Sequence, residues 1–222
     1  MNLREFFCND KDVMQQIPVQ DRATHSTCKF LGPKWDSIAD TLTISIAVPP
    51  LGTPTKRQLA SFQASTYDPL GLLSPIMVST KSLMTKVWEK KIRWKDPIPA
   101  HLLPEYETIK EAFLEPTYTF PRQVVPVQNF TSTSLILFSD ASKDHYATCA
   151  YLRFEYATMK CHSQIIFSRT RIKPVKSTNL TIPRMELLGV TIATRAASTI
   201  ASELNITLSS VTFFCDNTAV LH

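Results

Sequence analysis

Three acidic residues stand where carboxylates could share a cation. Asp140 closes the apolar run "LILFSD", Asp216 closes "VTFFCD", and Glu186 leads "IPRMELLGV". Stepping by three or four from Glu186 reaches Gly189, Val190, Ala193, Ala197 and Ile200, an apolar and mostly small stripe suited to close packing on a sheet. Pro183 suits the first helical position, and Thr181 or the residue after it can cap, which puts Glu186 in the first turn. Two readings of Glu186 follow. A first-turn glutamate complements the helix dipole. Alternatively it is a ligand. If the strands ending at Asp140 and Asp216 are parallel neighbours, their C-terminal ends meet at the ligand edge of the sheet, and the intervening helix can bring Glu186 beside them. Three such carboxylates repel one another unless protons or a cation neutralise them. An oxygen-only set favours a hard ion, Mg²⁺ or Mn²⁺. For Asp216 a further reading stays open, as the cap of "NTAVLH".

The elements that must position these groups lie after residue 130. "SLILFSD" is expected as a buried strand, "ATCAYLRFEY" and "SQIIFSRTRI" as further strands, then the helix, then "SSVTFFCD" as another buried strand. That order argues a mixed sheet with a helix on its face, an α/β arrangement within an α+β whole. Upstream, "KFLGPKW" and "TLTISIAV" are expected as two strands with a turn around Asp36 to Asp40. "TKRQLASFQAST", "SPIMVSTKSLMTKVWEKKI" and "EYETIKEAFL" are expected helices, "YDPLGLLSP" a loop, and "EPTYTFPRQVVPVQ" an extended proline-rich linker.

The chain of 222 residues carries a net charge of +5, and the excess is local. Residues 81–95, "KSLMTKVWEKKIRWK", hold six basic groups against one acid, with Trp88 and Trp94 among them. Lysines interleaved with aromatics suit a phosphate backbone and stacked bases, with Lys86, Lys90, Lys91 and Arg93 as the contacts. The alternative is a solvated amphipathic helix burying Met84, Val87 and Trp88. Arg169, Arg171 and Lys173 form a second basic stretch. Five scattered cysteines without C-x-x-C spacing indicate neither a zinc site nor a disulfide framework. No run is long enough to span a membrane and no secretion signal leads the chain, so an intracellular setting, cytoplasmic or nuclear, is expected.

"LILFSDAS", "FSRTRIKPVKSTNLTIPRMELLG" and "VTFFCDNTAVLH" resemble the ribonuclease H region of BEL/Pao-type retrotransposon polyproteins. "KFLGPKW" resembles the end of a reverse-transcriptase palm, and "TYDPLGLLSPIMVSTKSLMTKVWEKKIRWKDPIP" the connecting region of the same elements. The resemblance implies three regions: 1–50 as the palm end, 51–130 as a helical connection with a linker, and 131–222 as an incomplete ribonuclease H-like domain. It implies Asp140, Glu186 and Asp216 as catalytic metal ligands holding two Mg²⁺ (or Mn²⁺) ions, with RNA in an RNA–DNA hybrid as substrate and the rest of a pol polyprotein as partner. Such sites use a fourth carboxylate later in the chain, which the sequence to His222 does not supply. No Y-x-D-D is present, so polymerase activity is not expected. A non-catalytic remnant that binds nucleic acid is the alternative. An aspartic peptidase, which part of the family's name suggests, is disfavoured because "SDAS", "YDPL" and "CDNT" lack the glycine of a D-[ST]-G loop.

Overall fold

The computed structural model describes residues 4–29, 31–113, 117–126, 129–158, 160–174 and 180–218. A short helix α1 (Lys11–Gln16) precedes strands β1 (Thr27–Lys29), β2 (Lys34–Asp36) and β3 (Thr41–Ser45). Helices α2 (Lys56–Ser65), α3 (Ser74–Glu89) and α4 (Leu103–Ala112) follow, then β4 (Thr117–Pro121). The remainder is β5 (Ser132–Ala141), β6 (His145–Glu155), β7 (Cys161–Ile172), α5 (Ile182–Glu203) and β8 (Ser210–Phe214).

β1 to β4 form an antiparallel sheet in sequence order. Two expectations are corrected here. "KFLGPKW" is not one strand: Leu31 and Gly32 adopt positive φ, 50° and 110°, and turn the chain between β1 and β2. The proline-rich "linker" supplies β4, because "TYTF" alternates in the period of a strand and its proline falls at the end of an edge strand. Arg122 fixes that end by a two-pronged bond to Asp40, 2.5 and 3.0 Å, which also holds the Asp40 carboxyl below its ordinary range.

Local chemistry sets the helices. Thr55 and Gln58 make a reciprocal capping box at the start of α2. Asp68 accepts from the Leu72 and Leu73 amides at 3.0 and 2.7 Å and so opens α3. One core joins Ile44 and Ile46 of the first sheet region to Leu59, Leu83, Val87, Tyr106 and Ile109 of the helices. Within α3, Met84 and Val87 are buried as expected, but Trp88 is 52% exposed.

The second sheet has the order β7-β6-β5-β8, with β8 parallel to β5 and the other pairs antiparallel. Its core sets Leu135, Leu137, Ala150, Leu152 and Phe154 against Ala193 and Ala197 of α5. β8, expected to be buried, is exposed throughout: it is an edge strand, and Phe213 and Phe214 keep 43% and 49% of their surface open. The two halves meet along β7. Leu70 accepts from the Ser168 amide at 2.8 Å, Ser82 Oγ bonds His145 Nε2 at 2.7 Å, and at Gly71 (φ 71°) a Cβ would sit 1.8 Å from the Ser168 carbonyl oxygen. Among the described residues no helix is long and apolar enough to cross a membrane.

Candidate metal centre

The register of the parallel pair sets two of the three carboxylates. Phe138 stands opposite Phe214. Two residues further along each chain, Asp140 is the penultimate residue of β5 and Asp216 lies just past the end of β8. Both are exposed. The third depends on how closely α5 lies on β5 and β6. A Cβ at Gly189 would stand 3.5 Å from the Ala147 carbonyl oxygen and 3.7 Å from that of Asp140, so the helix backbone approaches the end of β5 directly. Glu186, three residues earlier on the same face, is carried over that end.

Glu186 is only 3% exposed. The helix begins at Ile182, without a side-chain cap bond from Thr181 and with no acid in its first turn. The expected first-turn placement is therefore corrected by part of a turn: Glu186 is the fifth helical residue and buried, a poor position for complementing the helix dipole. Burial pushes its carboxyl above the ordinary range, a hydrogen bond from the Ala141 backbone opposes this, and the charges of Asp140 and Asp216 push it further up. Ligand atoms of Glu186, Cys215 and Asp216 all lie within 4.8 Å of one another. Asp140 stands outside that group, although its charge reaches Glu186.

Cys215 was missed in the sequence. Its thiol donates to Glu186 Oε2 at 3.9 Å, which also draws the Glu186 carboxyl down. The available signal was adjacency to Asp216 at a strand end. The compact donor set is one buried carboxylate, one exposed carboxylate and a thiol, with Asp140 outside it; the carboxylates suit a hard divalent ion and the thiol is the softer addition. The alternative reading of Asp216 as the cap of "NTAVLH" falls largely on residues 219–222, outside the described residues.

The expected nucleic-acid contacts divide into two places. Lys86 pairs with Glu105 at 2.7 Å and Arg93 with Asp96 at 2.9 Å, while Lys90 and Lys91 are exposed at the end of α3. Arg169 and Arg171 are exposed on β7, with Lys173 half-buried just after it.

Residues 55–217 match the model of a family described as "Pao retrotransposon-like RNaseH-like domain". No curated protein matches the chain. Among solved structures it is similar to the foamy viral protease-reverse transcriptase dRH in complex with double-stranded DNA, at 14% identity over 90% of this chain and 33% of that one, TM-score 0.45. It is also similar to the foamy viral protease-reverse transcriptase in complex with double-stranded DNA, at 13% identity over 87% and 37%, TM-score 0.22. The chain thus spans about a third of the length of either protein.

Proposed function

The chain belongs to the Pao retrotransposon-like RNaseH-like domain family, and from that premise we propose that its carboxylate edge is a metal-dependent nuclease site of a retrotransposon pol protein, with RNA in an RNA–DNA hybrid as substrate. In this reading residues 131–222 are the ribonuclease H-like part, 51–130 the connection, and 1–50 the end of the polymerase palm. The observation that carries the proposal is the burial of Glu186, 3% exposed, within 4.8 Å of Asp216 and under the charge of Asp140. A buried carboxylate under like-charge pressure costs stability unless protons or a cation neutralise it.

Asp140, Glu186 and Asp216 would hold the ions, which when bound supply an activated water and neutralise charge on the leaving oxygen. The chain's own part is to fix the oxygens. The Ala141 amide orients the Glu186 carboxylate, and the parallel strands hold the aspartates at one edge. A 2′-hydroxyl requirement would tell the RNA strand from the DNA strand. Lys86, Lys90, Lys91, Arg93, Arg169, Arg171 and Lys173 are the proposed phosphate contacts.

A second reading, binding without cutting, is favoured by one feature: Cys215 occupies the compact group from which Asp140 stands apart. The test is Mn²⁺-dependent cleavage of a labelled RNA–DNA hybrid by the purified chain, with Asp140→Asn and Asp216→Asn as comparisons. Cleavage lost in both supports the nuclease. Hybrid binding with no cleavage, unchanged by either substitution, supports the second reading.

A further inference from the structure

A second charged feature lies away from the carboxylates. Between α3 and β7 runs an open cleft of about 660 Å³. Lys81, half-buried on α3, faces Arg169 and Arg171 of β7 across it. Among the described residues none of the three makes a salt bridge. Among the described residues the one carboxylate in the wall is Asp68, which already accepts the Leu72 and Leu73 amides. The charges crowd one another: Lys81 is held below its ordinary range by burial first and then by Arg171 and Arg169, with the Asp68 charge opposing them in part. Thr66 also lines the cleft, and its buried Oγ1 has no hydrogen-bond partner. The wall is completed by Trp88, which is 52% exposed although the Lys56 ammonium covers one face of its ring, 3.5 Å from the centroid. Cations without an ion-pair partner converging on a cavity, beside an unsatisfied hydroxyl and an indole with one face covered by Lys56, suit an anion attached to a flat ring that takes the other face.

We propose that this cleft is a nucleotide subsite: Arg169, Arg171 and Lys81 take the phosphate, Thr66 donates to it, and Trp88 stacks the base. The proposal rests on the nucleic-acid reading above for the source of the nucleotide, a strand rather than a free mononucleotide. Position supports a strand. Asp140 pairs with Ala147 and Ala147 with Thr170, so Arg169 and Arg171 flank the cross-strand row that ends in Asp140. Two strand spacings, roughly 10 Å, separate the cleft's backbone from the carboxylate edge. Side chains alternate along a β-strand, so Arg169 and Arg171 share the face that α5 covers, not that of Asp140, and a bound nucleic-acid strand would reach the carboxylates from the Glu186 side.

The experiment measures a short fluorescein-labelled single-stranded oligonucleotide binding to the full chain by anisotropy, across salt, with AMP and pyrophosphate as competitors. Arg169→Gln/Arg171→Gln should weaken binding at least tenfold and lower the slope of log affinity on log salt by about 1.5–2. Trp88→Leu should weaken the oligonucleotide by roughly tenfold and leave pyrophosphate competition unchanged. Lys29→Gln/Lys34→Gln removes the same charge from the first sheet and should change little. Equal losses in that control and the β7 pair would overturn the subsite in favour of a diffuse field. Pyrophosphate competing as well as AMP, with Trp88→Leu silent, would overturn the nucleotide assignment. Competition by AMP at oligonucleotide-like affinity would identify a free nucleotide as the source and overturn the strand. Melting temperature checks folding in every variant, and single Arg169→Gln replaces the pair if the pair is unstable. Mn²⁺-induced stabilisation of the same proteins separates the two proposals. If it persists while the cleft variants bind normally, only the subsite fails; if it is absent while they bind weakly, only the metal centre fails.

Discussion

In chelator-treated buffer at neutral pH, Glu186→Gln should stabilise the protein, although most substitutions destabilise. The substitution keeps shape and removes charge. Glu186 and Asp216 offer ligand atoms within 4.8 Å of each other. At that separation two unit charges repel by about 3.5 kcal/mol at an effective dielectric near 20 and by about 0.9 kcal/mol in water. Asp216 is exposed, so the lower figure applies. Releasing a 3%-exposed carboxylate from its desolvation adds to the gain. The amide oxygen still accepts from the Ala141 backbone but more weakly, which subtracts about 1 kcal/mol. The net is about 1–2 kcal/mol, or roughly 2–8 °C in melting temperature for a chain of this size.

The pH dependence has a definite sign. The folded-state pKa of Glu186 is raised, mainly by burial. Below the ordinary glutamate range the carboxyl is protonated in both folded and unfolded chains, so wild type and Glu186→Gln should melt together. As pH rises from the ordinary glutamate range towards the raised pKa, the unfolded chain ionises while the folded carboxyl holds its proton, and wild type falls behind. The advantage of the variant should therefore appear above the ordinary glutamate value of about 4.3 and level off once pH passes the raised folded-state pKa. Mn²⁺ should reverse the order: at a hundred times its Kd an ion stabilises wild type by about 2.7 kcal/mol, and the variant by less. Circular-dichroism melts at four pH values, with and without Mn²⁺, decide the matter. A variant destabilised equally at every pH would show that Glu186 is a satisfied structural acid and that no like-charge cluster exists.

Asp140→Asn should shrink the Mn²⁺-induced rise in melting temperature, whereas Asp144→Asn, exposed in the turn after β5, should leave it intact. Replacing Lys86, Lys90, Lys91 and Arg93 with Gln should flatten the salt dependence of RNA–DNA hybrid binding, and an unchanged slope in a filter-binding assay would make that end of α3 a plain solvated face. Gly71→Ala should destabilise by about 2–4 kcal/mol in urea melts, since it combines a left-handed φ of 71° with a Cβ 1.8 Å from the Ser168 carbonyl oxygen, and a neutral result would mean that the seam with β7 shifts freely.

What the sequence made legible was periodic and local. The continuous apolar run of β5 and the three-and-four spacing of α5 carry their own signatures, and both elements form where those signatures lie. β4 was hidden because prolines flank a strand of five residues, and only pairing with β3 shows that "TYTF" is ladder and not linker. The exposure of β8 was equally hidden. "VTFF" has the composition of a buried strand, but burial depends on neighbours, and here the neighbour is β5 on one side only among the described residues. Glu186 was found as a candidate, yet its depth was misjudged, since a helix beginning at Ile182 moves it past the first turn. Cys215 went unseen because a thiol's part in the group is set by folding around Glu186, not by spacing to another cysteine.

The small residues of α5 and the acidic one are parts of a single arrangement. Gly189, Ala193 and Ala197 are buried and let the helix settle onto β5 and β6, with the Gly189 backbone in reach of the Asp140 and Ala147 carbonyls. Larger side chains there would lift the helix, admit water, and relax the pressure on Glu186. Close packing thus creates both the desolvation that raises the Glu186 carboxyl and the proximity that lets Asp140 and Asp216 act on it. A cation would relieve both at once, because it replaces the lost solvation and reverses the sign of the local field. The free energy that the apo fold stores in this corner is therefore the same free energy that would draw an ion to it, so metal affinity and apo instability should vary together across substitutions at Gly189.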